Sequence, residues 1–199
     1  HVSTRDAVNV IREAKKSGLN ITCDTAPPYF ALNESKLLTY NTAFKLSPPL
    51  RSEDDRLAII EGIQDGTIDA IASDHRARSK DTKAQPFSAA SVGASGIETL
   101  FSITLDLVHK KIIDINQAMS FLTINPAKIL GIDNPSLDEE KVADFIVFDE
   151  NAPHTIKQEN LKTSPTPFDG KKIHGKILAT YINGQAAFIN EILKNKIIQ

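Results

Sequence analysis

The chain has 199 residues, 41% hydrophobic and 24% charged, a balance that excludes a disordered polypeptide and suffices for one substantial core or one core with a small satellite. Its 23 basic and 25 acidic residues nearly cancel, with no Lys/Arg cluster dense enough for nucleic acid or a membrane surface, so a small neutral or anionic metabolite is the expected partner. No apolar run reaches the roughly 18 residues of a membrane span, no signal peptide is visible, and the single Cys23 has no internal disulfide partner, which suggests a cytoplasmic protein.

His1 stands directly before a helix signal, as expected of a chain continuing from an upstream segment. From Ser3 to Gly18 the sequence reads as a helix, with Ser3 and Asp6 as a capping pair and Val10, Ile11 and Ala14 at helical spacing. Leu19 to Cys23 and Ala43 to Leu46 read as strands, each closed by prolines. Ser52 and Asp55 open a second helix that stops at Gly66, and Thr67 to Ala72 is a third strand. A polar loop follows from Ser73 to about Gly96. Helices are expected over Ile97 to Lys110 and around Asn116 to Leu130. Beyond Gly131 the signals change to β: Asp144 to Asp149 and Lys176 to Gly184 read as strands, the second ending on an Asn-Gly turn, with a loop over Thr163 to Gly170 between them.

Alternation of helix and strand favours a parallel α/β architecture, barrel or open sheet, followed by a small β unit. The expected division is 1–135 and 136–199. Where an α/β barrel builds its active site, at the C-terminal end of a strand, the sequence carries Ala72-Ser73-Asp74-His75. Asp74 there can bind a metal and take a proton from a metal-acidified water, or else cap backbone as turn aspartates do. His75 can donate to a substrate carboxylate or carbonyl, or serve structure alone. His1 would lie at a strand end if a strand precedes it, where imidazole suits zinc; otherwise it is an exposed terminal residue. Gly93 and Gly96 bring backbone amides close to a ligand or form a plain flexible loop. Cys23 reads as a small buried group rather than a nucleophile. His109 is expected to meet its helix C-terminus, and His154 and His174 fall in the β unit without an assigned role.

Taken together these segments resemble the second half of a type I dihydroorotase, a cyclic amidohydrolase. His1-Val2-Ser3-Thr4 resembles the family's fifth-strand motif, Lys45 to Arg51 (KLSPPLR) the seventh, and Ala72-Ser73-Asp74-His75 the eighth; Gly93 to Thr99 resembles the glycine-rich substrate loop, Asn125-Pro126-Ala127 the helix that closes the barrel, and the two late strands its β-sandwich. The resemblance implies the second half of a (β/α)8 barrel plus a β-sandwich portion. It also implies zinc, one or two ions, with His1 and Asp74 as ligands, and reversible cyclisation of N-carbamoyl-L-aspartate to dihydroorotate in pyrimidine synthesis. Asp74 would be catalytic, and His75, Ser47 and Gly93 substrate-binding. The implied partners are an N-terminal barrel half, a homo-oligomer or aspartate carbamoyltransferase.

The sequence departs from the family pattern at three places. Ala26-Pro27-Pro28-Tyr29-Phe30 stands where many relatives have a His-His pair, Ser47 stands where an asparagine often contacts substrate, and Arg76-Ala77-Arg78 replaces Ala-Pro-His. The His-x-His motif of the first barrel strands is not in these residues. Two alternatives stay open: a non-catalytic subunit that scaffolds aspartate carbamoyltransferase, and another cyclic amidohydrolase such as a hydantoinase or allantoinase.

Overall fold

The computed structural model describes residues 1–132, 136–163, 165–191 and 193. The chain enters extended: the Val2 amide donates to the Asp24 carbonyl and the Thr25 hydroxyl donates to the Val2 carbonyl, each at 2.8 Å. With Val2 committed to that neighbour, helix α1 (Arg5–Lys16) starts from Thr4, whose hydroxyl accepts from the Ala7 amide. The cap therefore falls one residue later than the Ser3 pattern suggests.

Strand β1 (Asp24–Thr25) pairs in parallel with β2 (Ala70–Ile71), Asp24 opposite Ala70 and Thr25 opposite Ile71. Flanking bonds lengthen the contact, with the Asp69 amide donating to Cys23 and the Ala72 amide to Thr25. The apolar run from Leu19 is thus paired only at its end; Leu19 and Ile21 are exposed. Alternation marked the region, but a strand forms only where a neighbour supplies hydrogen bonds. Ala43 to Leu46 is not a strand at all. Asn41 accepts from the Ala43 amide and turns Thr42–Phe44 into a 3-10 helix, a local side-chain bond outcompeting a ladder.

Helix α2 (Pro27–Ala31) follows β1 at once, its two prolines occupying first-turn positions that need no amide donor. Helix α3 (Glu53–Gln64) is the one the sequence specifies: Ser52 accepts from the Asp55 amide, and Glu53, Asp54 and Asp55 sit at the positive end of the helix dipole. Within the expected 73–96 loop a short helix, α4 (Lys80–Lys83), is capped by Ser79. Helix α5 (Leu100–His109) begins after a turn in which Thr99 and Leu100 donate to the Gly96 carbonyl. The helix expected around 116–130 is two, α6 (Ile115–Leu122) and α7 (Ile124–Leu130). Pro126 offers no amide to the Leu122 carbonyl, and the ladder breaks at Thr123.

The β unit is one antiparallel sheet in the order β3 (Phe145–Thr155), β4 (Lys172–Ile182), β5 (Gln185–Ile189). The Asn183-Gly184 turn joins β4 to β5 as its signal indicates, both residues having positive φ. Strand β3 runs past its expected end because Glu150-Asn151-Ala152 is a bulge rather than a stop: Asp149 accepts from the Asn151 and Ala152 amides and pairing resumes at Pro153. Among the described residues the sheet forms no buried cluster of its own. Ile156, Phe168 and Ile173 join Val8, Phe30, Ile59, Ile63 and Ile103 in one buried cluster, and Ser102 on α5 donates to the Gly175 carbonyl on β4. Among the described residues no helix is long and apolar enough to cross a membrane.

Candidate functional site

Three residues beyond β2 the backbone turns through Asp74 in the left-handed region (φ 43), a conformation Asp tolerates better than most residues. The turn drives its carboxylate inward until only 5% of the side chain is exposed. Three groups surround it. His1 Nε2 lies 3.4 Å and Arg76 Nε 3.5 Å from Oδ1, and the Tyr29 hydroxyl lies 3.2 Å from Oδ2. Burial pushes the Asp74 carboxyl above the usual carboxylate range, while the Tyr29 hydrogen bond and the Arg76 charge act in the opposite direction.

Tyr29 sits on α2, buried, where the two preceding prolines fix the start of the helix. Burial, then the Asp74 charge, raise its phenol, so it keeps its proton. That one proton faces two acceptors, the Pro48 carbonyl at 2.9 Å and Asp74.

His1 is held from both sides. Its Nδ1 is 3.0 Å from Asp24 Oδ1, and Val2 is tied to β1. A neutral imidazole donating from Nδ1 to Asp24 turns the Nε2 lone pair toward Asp74, two acceptors facing each other. Such a pair is stable when a proton or a metal cation lies between them. A carboxylate behind a histidine is also how metal-binding imidazoles are oriented. His1 and Asp74 thus fit a metal as two of its donors. Among the described residues no group of three or more His, Cys, Asp or Glu converges to hold one.

The loop after Asp74 is shaped by glycine. His75 bridges in parallel to Ala94, and its Nδ1 accepts from the Gly96 and Ile97 amides at 3.3 Å each, which leaves its proton on Nε2. A Cβ at Gly96 would collide with the Ser73 carbonyl oxygen, and one at Gly93 (φ +113) would lie 2.7 Å from Arg76 Cβ. This loop leans on the β unit: the Ser95 amide donates to Pro165 at 2.7 Å, and the Glu98 carboxylate accepts from the Lys162 and Thr163 amides.

Of the residues expected from sequence, His1 and Asp74 are brought together, while the His75 ring is turned to the Gly96 loop and Gly93 packs on Arg76. Ser47 is exposed, and its side chain has no hydrogen bond among the described residues. Asp24 and Arg76 were not expected as site residues. Asp24 is legible only as an acid ending an apolar run; Tyr29 and Arg76 show in the sequence as departures from a pattern. Cys23 is half-buried, its thiol raised by burial and donating to the Thr67 carbonyl, in keeping with a small buried group. His109 does not serve its helix end: Nε2 is 2.8 Å from the Glu150 carbonyl and the ring rests 5.1 Å from that of His174.

The amidohydrolase family model matches residues 1–187. The chain belongs to the amidohydrolase family. It is 41% identical to a dihydroorotase of Desulforapulum autotrophicum over 194 residues, which are 96% of this chain and 45% of that protein. It is 38% identical to a dihydroorotase of Anaplasma phagocytophilum over 190 residues, 94% of this chain and 42% of that one. This amidohydrolase chain therefore spans less than half the length of these curated relatives. Solved structures share its fold: the L-hydantoinase (dihydropyrimidinase) of Arthrobacter aurescens at TM-score 0.88 and 24% identity, covering 95% of this chain and 44% of that one. A dihydropyrimidinase of Brevibacillus agri matches at TM-score 0.86 and 27% identity, covering 96% and 44%.

Proposed function

We propose that this amidohydrolase chain is the C-terminal portion of a dihydroorotase that interconverts N-carbamoyl-L-aspartate and dihydroorotate. The observation that carries the reading is the 38–41% identity to dihydroorotases along 94–96% of the chain, in which the buried Asp74 is met by His1. In this reading residues 1–135 are the second half of a (β/α)8 barrel and 136–199 a β-sandwich portion; residues 133–135, at that boundary, lie outside the described ones. An N-terminal barrel half would cover the open cleft of about 770 Å³ bordered by His1, Asp24, Ile71 and Leu130. The protein would act in the cytoplasm, on a small-molecule substrate.

Hydrolysis breaks the ring bond between the amide nitrogen and its carbonyl carbon as water adds to that carbon. Asp74 takes a proton from the attacking water and returns it to the departing nitrogen; ring closure runs the same transfers backwards. A carboxyl raised by burial holds that proton more readily than an exposed one. His1 and Asp74, with donors from outside these residues, would hold zinc, one or two ions, which would supply carbonyl polarisation and an acidified water when bound. Asp24 orients His1. His75, its proton fixed on Nε2 by the Gly96 and Ile97 amides, binds substrate, together with Ser47 and the backbone at Gly93.

The second reading, a non-catalytic subunit that scaffolds aspartate carbamoyltransferase, draws on Pro28 and Tyr29 standing where many relatives carry a histidine pair. Elemental analysis of the intact protein, beside dihydroorotate hydrolysis by wild type and Asp74→Ala, separates the two. Zinc and turnover lost with Asp74 are expected; folded protein with neither supports the scaffold.

A further inference from the structure

The glycine loop that serves His75 is held partly from the β unit. In Ser95-Gly96-Ile97-Glu98 the two inner residues donate their amides to His75 Nδ1, at 3.3 Å each. The Ile97 amide shares a peptide unit with the Gly96 carbonyl, which the Thr99 and Leu100 amides fix at the start of α5. The Gly96 amide belongs instead to the peptide unit of Ser95. Ser95 is buried (1% exposed) and its partners lie far along the chain: its amide donates to the Pro165 carbonyl at 2.7 Å, and its hydroxyl meets that of Thr163.

Thr163 stands between the two outer residues of the stretch. A carboxylate only accepts, so the Thr163 hydroxyl gives its proton to Glu98 Oε2 at 3.0 Å and is left to accept from Ser95. One hydroxyl thus ties both flanks of the amide pair. The Lys162 and Thr163 amides close on the same Glu98 carboxylate, at 3.0 and 3.1 Å. The segment that carries Thr163 is itself anchored. Leu161 packs against the core on one side, Thr166 and Phe168 are buried on the other, and the Thr166 amide donates to Gln158. A hydroxyl on a fixed segment can hold a loop within the tolerance that a binding side chain needs.

We infer that Thr163 is a positioning residue: through Ser95 and Glu98 it holds the Gly96 and Ile97 amides on His75 Nδ1, and so keeps that ring's proton on Nε2, the nitrogen left for substrate. The inference rests on the dihydroorotase reading above and deepens it, by bringing a residue of the β unit into the working of a site built at the end of β2. Valine in its place has nearly the same shape and removes both side-chain bonds, so it loosens the loop without emptying the space.

The test measures dihydroorotate hydrolysis by the intact wild type, Thr163→Val and Thr163→Ser. We expect Thr163→Val to raise KM roughly 3- to 10-fold, the range of one lost hydrogen bond between uncharged groups. Its kcat should hold within about twofold, because Asp74 is untouched. Thr163→Ser, which keeps the hydroxyl, restores the wild-type KM. Nitrogen NMR of the His75 ring at one fixed pH, its signals assigned by their loss in His75→Gln, gives a readout that needs no turnover. The proton should sit on Nε2 alone in wild type and Thr163→Ser, and exchange between both nitrogens in Thr163→Val. An unchanged KM in Thr163→Val, a serine that fails to restore it, or a ring spectrum that valine leaves as it was overturns the inference, since Thr163 would then serve only the fold. Wild type that opens no dihydroorotate removes the dihydroorotase reading, while the ring spectrum still decides whether Thr163 positions His75.

Discussion

Two charged regions of this molecule use the same residue types to opposite ends. Along the packed helices α1 and α3, Arg5 meets Asp54 and Glu61, and Arg12 meets Asp65, all solvent-reaching pairs between flexible side chains. At the end of β2, Asp74 is walled in, its Oδ1 shared by His1 and Arg76 at distances beyond a good hydrogen bond and its Oδ2 facing a phenol with another acceptor to satisfy. Two of the helix pairs are shorter, Arg5 reaching Asp54 at 2.6 Å and Arg12 reaching Asp65 at 2.7 Å, yet water screens them and their net worth is small. Asp74 is less well paired: burial has taken its water away without replacing it in full, which suits the proton transfer proposed for it. Good pairing marks where a charge stabilises; incomplete pairing under burial marks a candidate for chemistry.

The largest test of that contrast is Asp74→Asn in the intact protein. It keeps the shape and removes the proton acceptor, and dihydroorotate hydrolysis should fall at least about 100-fold with the thermal midpoint little changed. Gly96→Ala comes next. Its methyl would enter the Ser73 carbonyl, and the loss should be about 2–3 kcal/mol in denaturant titration, with His75 losing its two amide donors as the loop shifts. Tyr29→Phe tests the shared proton. It leaves the Pro48 carbonyl unpaired at a cost of about 1 kcal/mol. The Tyr29 bond favours ionised Asp74, so its removal raises the carboxyl further and the acidic limb of the rate profile should move to higher pH. A limb that stays in place would mean that the phenol serves Pro48 alone. The smallest effect belongs to the helix face, where Arg12→Ala should cost under about 1 kcal/mol, and less still at high salt. A cost comparable to that of Gly96→Ala would break the comparison.

The two regions also differed in how well they could be read. The start of helix α3 was legible to the residue because its information is local, Ser52 and Asp55 lying within one turn; its end at Gln64 falls just short of the expected stop at Gly66. Asp74 was legible as an ionisable residue at a strand end. Its surroundings were not, since His1, Tyr29 and Arg76 come from three segments and only the turn at φ 43 aims the carboxylate among them. Ser47 is the opposite case: its motif names a residue type, while its exposed position after the Thr42–Phe44 3-10 turn is set by the fold.

By itself the sequence determined the alternation of helices and strands, the Asn-Gly hairpin, the caps that start α3 and the chemistry available at Asp74 and His75. These follow from contacts within a few residues, where propensity and capping act. Tertiary structure alone decided which residues of each apolar run became strand, that the late sheet shares its core with the helices, and that a tyrosine and an arginine stand against Asp74. Those outcomes depend on neighbours tens of residues away, which supply the hydrogen bonds and exclude the water that local pattern cannot specify.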